Sequence, residues 1–242
     1  MGLFDIFTGG SGPDKALKLK SRVTQKYGDP STRQKAIEQL GTMKIPEAVS
    51  VLLSRFTITV DPLTTDADEK ERTFDLVRSF GKDAVSPIKE FLSRSEAATS
   101  WALRLLGELL TEDEVLGACV DALQHLSAHY TKNPEKKVVL LHHVTDKQDP
   151  RIPPAVMPFL EDMSDDVKIA ALKALGSFKY EPAREPMLKL LTADETARRV
   201  QTSALAALVE GGFVVDGYRE KVEPLLVEPY NLSPDGRIQR RA

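Results

Sequence analysis

Apolar residues spaced three and four apart recur along most of this chain, and the clearest run is 156–178. Val156, Phe159, Leu160 and Met163 fit one helix face, with Pro158 either starting or kinking that helix. Ser164-Asp165-Asp166 is a polar triplet suited to capping a second helix. Val167, Ala171, Leu172, Leu175 and Phe178 then mark that helix's apolar face. Ala170, Ala171 and Ala174 add small side chains that let a neighbour approach, and Gly176 stands near the helix end. Neither helix can bury its stripe alone, so units of this kind stack.

Weaker copies of this unit can be aligned on the position of Gly176. They fall at Gly41, Gly81, Gly107, Thr145 and Val209, at intervals of 26 to 40 residues. One residue before each anchor stand Leu40, Phe80, Leu106, Val144, Leu175 and Leu208. Four before stand Ile37, Val77, Leu103, Leu141, Leu172 and Leu205. Both columns are wholly apolar. A proline recurs in the preceding helix at Pro87, Pro158, Pro186 and Pro224, each followed by apolar residues at helical spacing.

A proline-bearing first helix followed by an A-x-x-A-L-G second helix resembles the HEAT family, including the short repeats of phycobilisome lyase-type proteins. The resemblance covers most of 14–226, is strongest over 156–209 and is weakest over 111–145. It implies an all-α fold: a HEAT/armadillo-like α-solenoid, a right-handed superhelix of about six helix pairs. The T-P-L-H of ankyrin repeats and the W-x-x-L-G of tetratricopeptide repeats are missing.

Four regions depart from the array. Residues 1–13 join an apolar plug (Leu3, Phe4, Ile6, Phe7) to a Gly/Ser linker. The plug either docks over the open end of the first repeat or, beside the basic stretch 14–44, touches an anionic membrane. Phe56–Arg72 is partly alternating and then acidic, and reads as an extended or loop insertion with a possible short strand at Thr57–Val60. Ser127–Lys137 reads as a turn region. The repeat domain therefore spans 14–227, and 228–242 is expected to be an extended or disordered tail.

Composition narrows the function classes. Over 242 residues the chain is 41% hydrophobic and 29% charged, which suits a folded protein with a sizeable core. The net charge of −3 offers no global case for nucleic acid. A single cysteine, Cys119, excludes an internal disulfide framework and suits the cytoplasm. No apolar run reaches membrane-spanning length, and acidic Asp5 stands where a secretory signal would be basic.

No P-loop, G-x-S-x-G or dinucleotide fingerprint is present. The four histidines (His125, His129, His142, His143) lie close in sequence but match no ligand motif, so no metal or other cofactor is expected. HEAT-like deoxyhypusine hydroxylases place iron on His-Glu pairs, and this chain has none. Trp101 sits at core spacing, and Cys119 in VLGACVDAL has the setting of a buried thiol. The distinctive polar positions are basic. Three and eight residues before the anchors stand Arg33, Arg78, Arg104, Lys137, Lys168 and Lys173. The resemblance implies that second helices line a concave face, so these cations are the expected partner-binding set. The alternative is solvated charge, or pairing with carboxylates such as Asp165 and Asp166. The resulting expectation is a non-enzymatic scaffold or adaptor that binds another protein through that face. The other readings are a bilin lyase-type accessory protein and a nucleic-acid-binding relative of the HEAT-like alkylpurine DNA glycosylases. The acidic balance and 6% aromatic content count against the last.

Overall fold

The computed structural model describes residues 11–126, 131 and 133–240. The fold is all-α. Six helix pairs follow one another along the described chain, and the only sheet among the described residues is a two-stranded hairpin. The chain forms two compact units that meet in sequence between Val115 and Leu116.

The first unit contains α1 (Gly12–Val23), α2 (Pro30–Met43), α3 (Pro46–Leu53), α4 (Leu63–Arg78), α5 (Val85–Arg94) and α6 (Thr99–Leu109). The first helices α1, α3 and α5 pack in series, as do the second helices α2, α4 and α6. Each first helix also packs on its own second helix. This is the α-solenoid arrangement the repeating stripes require, because each helix buries its apolar side against a partner and two neighbours. α7 (Glu112–His125) spans the boundary.

The second unit contains α8 (Glu135–Val144), α9 (Ile152–Val156), α10 (Asp165–Gly176), α11 (Arg184–Thr192), α12 (Arg198–Glu210) and the short α13 (Arg219–Val222). α10 packs between α8 and α12, and α11 lies along α12. α9 tightens into a 3₁₀ turn, Met157–Glu161, at Pro158, where proline removes a backbone donor. Pro87 and Pro186 fall in the first turns of α5 and α11, where the missing N–H has no partner to lose. Gly212, with φ of +65°, carries the chain out of α12 in a conformation that few other residues adopt.

Three expectations change. First, Leu63–Arg72 is not a loop but the first half of α4, and Thr57–Val60 forms no strand. Two of its acids lie on the buried side of that helix: Asp66 and Glu69 face inward with Thr73, Phe74 and Val77 at helical spacing, while Asp68 and Glu71 stay exposed. Second, Met163 is 72% exposed and lies outside the apolar face, because the chain turns at Asp162. Third, the described part of the tail, 228–240, is extended as a paired hairpin rather than disordered. β1 (Tyr230–Leu232) and β2 (Ile238–Arg240) pair antiparallel, and buried Ile238 belongs to the strand that packs on α12. Of the expected turn region 127–137, Glu135–Lys137 is helical and most of the rest lies outside the described residues.

The register gives a direct test. Leu172 is fully buried in α10 and Lys173 is exposed beside it. Leu172→Ala is expected to lower unfolding free energy by about 2–5 kcal/mol, while Lys173→Ala stays within about 0.5 kcal/mol. Urea unfolding of both variants measures the difference.

Candidate functional site

The six cations expected on a binding face have separate fates. Arg33, on α2, is 2% exposed. Its Nε and Nη2 donate to Glu69 of α4 at 2.5 and 2.9 Å, and Nη1 donates to the Gln25 carbonyl at 2.8 Å. Glu69 also accepts from Arg55 Nε at 3.0 Å. Arg55 follows α3, is 0% exposed, and donates through Nη2 to Asp66 at 2.7 Å. Lys70 closes the network on the other Asp66 oxygen at 2.7 Å. Burial pushes Glu69 and Asp66 up, but the bonds and charges of the surrounding cations outweigh it. Both carboxyls are held below their ordinary values.

Lys137 is likewise buried, at 1% exposure, with Nζ donating to Asp162 at 2.6 Å and lying 5.9 Å from the Phe159 ring centre. Arg33 and Lys137 are therefore corrected from partner-binding residues to core counter-charges. A cation sealed under a carboxylate is not available to another molecule.

Arg78 and Arg104 are exposed but paired. Arg104 of α6 grips Glu71 of α4 through two bonds of 2.7 and 3.0 Å, and its guanidinium lies 4.1 Å from the Phe74 ring centre. Arg78 bonds Asp75 at 3.1 Å and Glu108 at 3.4 Å. Arg72 holds Glu38 in the same way at 2.6 and 2.7 Å, and in the second unit Arg199 joins Asp165 and Asp166. In the pairs of Arg72, Arg104 and Arg199 the arginine follows its carboxylate by 33 or 34 residues. These arginines tie one second helix to the next. Lys168, by contrast, lines a groove of about 400 Å³ with Glu161, Asp165, Lys189 and Glu195, and Lys173 is exposed; neither forms an ion pair among the described residues. Leu3, Phe4, Ile6 and Phe7 lie outside the described residues.

A different basic surface stands out on α1. Ala16, Leu19 and Val23 are buried against the unit, as the apolar spacing requires. The exposed remainder of the helix carries Lys15, Lys18 and Arg22 along one flank of that buried stripe and Lys20 on the other, with Lys26 just beyond. None of these five forms an ion pair among the described residues. The nearest acids in sequence are engaged as helix caps. Asp14 accepts from Ser11 N and Oγ at 3.2 and 2.7 Å, and Asp29 accepts from Ser31 N and Oγ at 2.9 and 2.5 Å. Leu17, 58% exposed, and Tyr27, 86% exposed, add apolar area to the same region. The stripe was visible in the sequence as the basic stretch 14–44. What was missed is that it divides: Arg33 goes inside, and the α1 cations stay out.

Chemistry of other kinds finds little footing. Trp101 stacks on Phe56 at 4.8 Å between ring centres, as a half-buried packing residue. Among the described residues no group of three or more His, Cys, Asp or Glu is placed to hold a metal, and His129 lies outside them. His125 is exposed and bonds its own helix at the Asp121 carbonyl. Burial pushes the Cys119 thiol up to about 12.

No family model matches the chain, and no curated protein matches it. Among solved structures it is similar to human deoxyhypusine hydroxylase in complex with glycerol. The identity is 11%, the TM-score is 0.37, and the match covers 88% of this chain and 92% of that one. The expectation of a non-enzymatic protein-binding scaffold is corrected, because four of the six cations that carried it are engaged within the chain.

Two outcomes follow. Glu69→Ala leaves Arg33 and Arg55 buried without their shared carboxylate, and is expected to cost about 3–5 kcal/mol in urea unfolding. Because Glu69 and Asp66 have depressed folded-state values, their contribution is complete above the ordinary carboxylate range. It falls as pH drops below about 4, so the variant's deficit shrinks there. Cys119 is expected to resist a thiol-specific disulfide reagent at about pH 8 in the folded protein and to react fully after denaturation.

Proposed function

We propose that this chain is a HEAT-like helical-repeat protein that docks on the cytoplasmic face of an anionic membrane through the exposed cations of α1. The observation that carries the reading is the set of five exposed cations on and just after one helix, none in an ion pair among the described residues, in a chain whose overall charge is −3. Charge so segregated favours an anionic surface locally while the rest of the molecule does not. The cytoplasmic leaflet supplies that surface through its anionic lipids.

The binding mode is electrostatic rather than insertional. An inserting amphipathic helix offers its apolar side to the acyl chains, but Ala16, Leu19 and Val23 are already buried. Among the described residues of this region, Leu17 and Tyr27 remain to add apolar contact. No helix among the described residues is long and apolar enough to cross a membrane.

Co-sedimentation with phosphatidylcholine vesicles containing about one-third phosphatidylserine is the test. Binding is expected at low salt, with loss as the Debye length shrinks toward about 3 Å near 1 M salt. Lys18→Glu with Arg22→Glu is expected to weaken it at least tenfold, since each cation near such a surface contributes about 1 kcal/mol. Equal binding to pure phosphatidylcholine, or loss of binding on deleting 1–10 with no effect of the charge reversals, overturns the reading.

A further inference from the structure

We infer that Ser21 is a phosphorylation site that releases α1 from the membrane, an inference that rests on the docking reading above. Ser21 is exposed, and its hydroxyl makes no hydrogen bond among the described residues. Three nearby hydroxyls are occupied: Ser11 in the α1 capping box, Thr24 on the Lys20 carbonyl at 2.9 Å, and Ser31 on Asp29. Ser21 stands among the cations, three residues after Lys18, one after Lys20 and one before Arg22. Residues three apart on a helix are surface neighbours, so Lys18 lies beside it. That basic flank is also what a basophilic serine/threonine kinase recognises by charge. Ser21 lies two residues before the end of α1 at Val23, in a last turn that opens at low cost.

The modification is a phosphoryl transfer from ATP. The bond between the γ-phosphorus and its bridging oxygen breaks, a bond from Ser21 Oγ to that phosphorus forms, ADP leaves, and the hydroxyl proton passes to the kinase's base. Phosphoserine carries about −1.5 to −2 charges at pH 7. Placed amid five cations, it removes roughly two charges of attraction from the patch. It also sets negative charge near the helix C-terminus, which the helix dipole disfavours.

The test compares the full chain, its kinase-phosphorylated form, S21D and S21N on the phosphatidylserine vesicles, with circular dichroism confirming equal helicity. Phosphate mapped to Ser21 and vesicle binding weakened at least tenfold by phosphorylation, several-fold by S21D and not by S21N, is the expected result. Phosphate mapped to Tyr27 or elsewhere, or unchanged binding by the phosphorylated chain and S21D while the wild type binds, overturns this inference alone. Failure of the wild type to bind overturns the docking reading on which it rests.

Discussion

Arg55 has no exposed surface, and the first unit is arranged around satisfying it. A buried guanidinium is tolerated only when its donors meet charge and hydrogen-bond acceptors in good geometry. Here Asp66 and Glu69 arrive from one face of α4, and the Ile58 carbonyl arrives from the segment between Arg55 and α4. Glu69 in turn fixes Arg33 on α2. Asp66 also takes the Val60 amide at 3.1 Å, which holds the chain where it turns toward α4. Removing any one member strands the others, so α2, the end of α3 and α4 have one mutually consistent placement.

The second unit uses the same device on a smaller scale. Lys137 enters the core with Asp162 from the turn before α10, and Asp162 also accepts the Ser164 amide at 2.8 Å. A turn and a helix are thus joined by one carboxylate. Outside both cores, arginines at 33- or 34-residue spacing bind the carboxylates of the preceding second helix. Exposed pairs of this kind are individually weak, but they keep successive helices in register and neutralise the surface they cover.

That neutralisation gives α1 its character. Where α4, α6 and α12 have arginines matched to acids, the α1 cations have no such match among the described residues, because Asp14 and Asp29 serve as helix caps. Capping fixes a carboxylate toward backbone amides and away from lysines on the helix flank. The local charge is therefore a consequence of how the helix begins and how the next one starts.

The apolar spacing of the chain was sufficient to determine an all-α array of helix pairs. Leu40, Leu103, Leu172 and Leu208 all lie buried where the columns place them. It was also sufficient to mark Cys119 as a packing residue. Spacing failed where a helix buries charge. Asp66 and Glu69 hold core positions of α4, and Lys136 and Lys137 hold core positions of α8, yet a hydropathy pattern reads all four as solvent-facing. The burial of Asp66, Glu69 and Lys137 depends on Arg33, Arg55 and Asp162, contributed by other elements. Whether a charged side chain faces a core or a partner is decided by where its counter-charge lies in space, and only the tertiary structure supplies that distance.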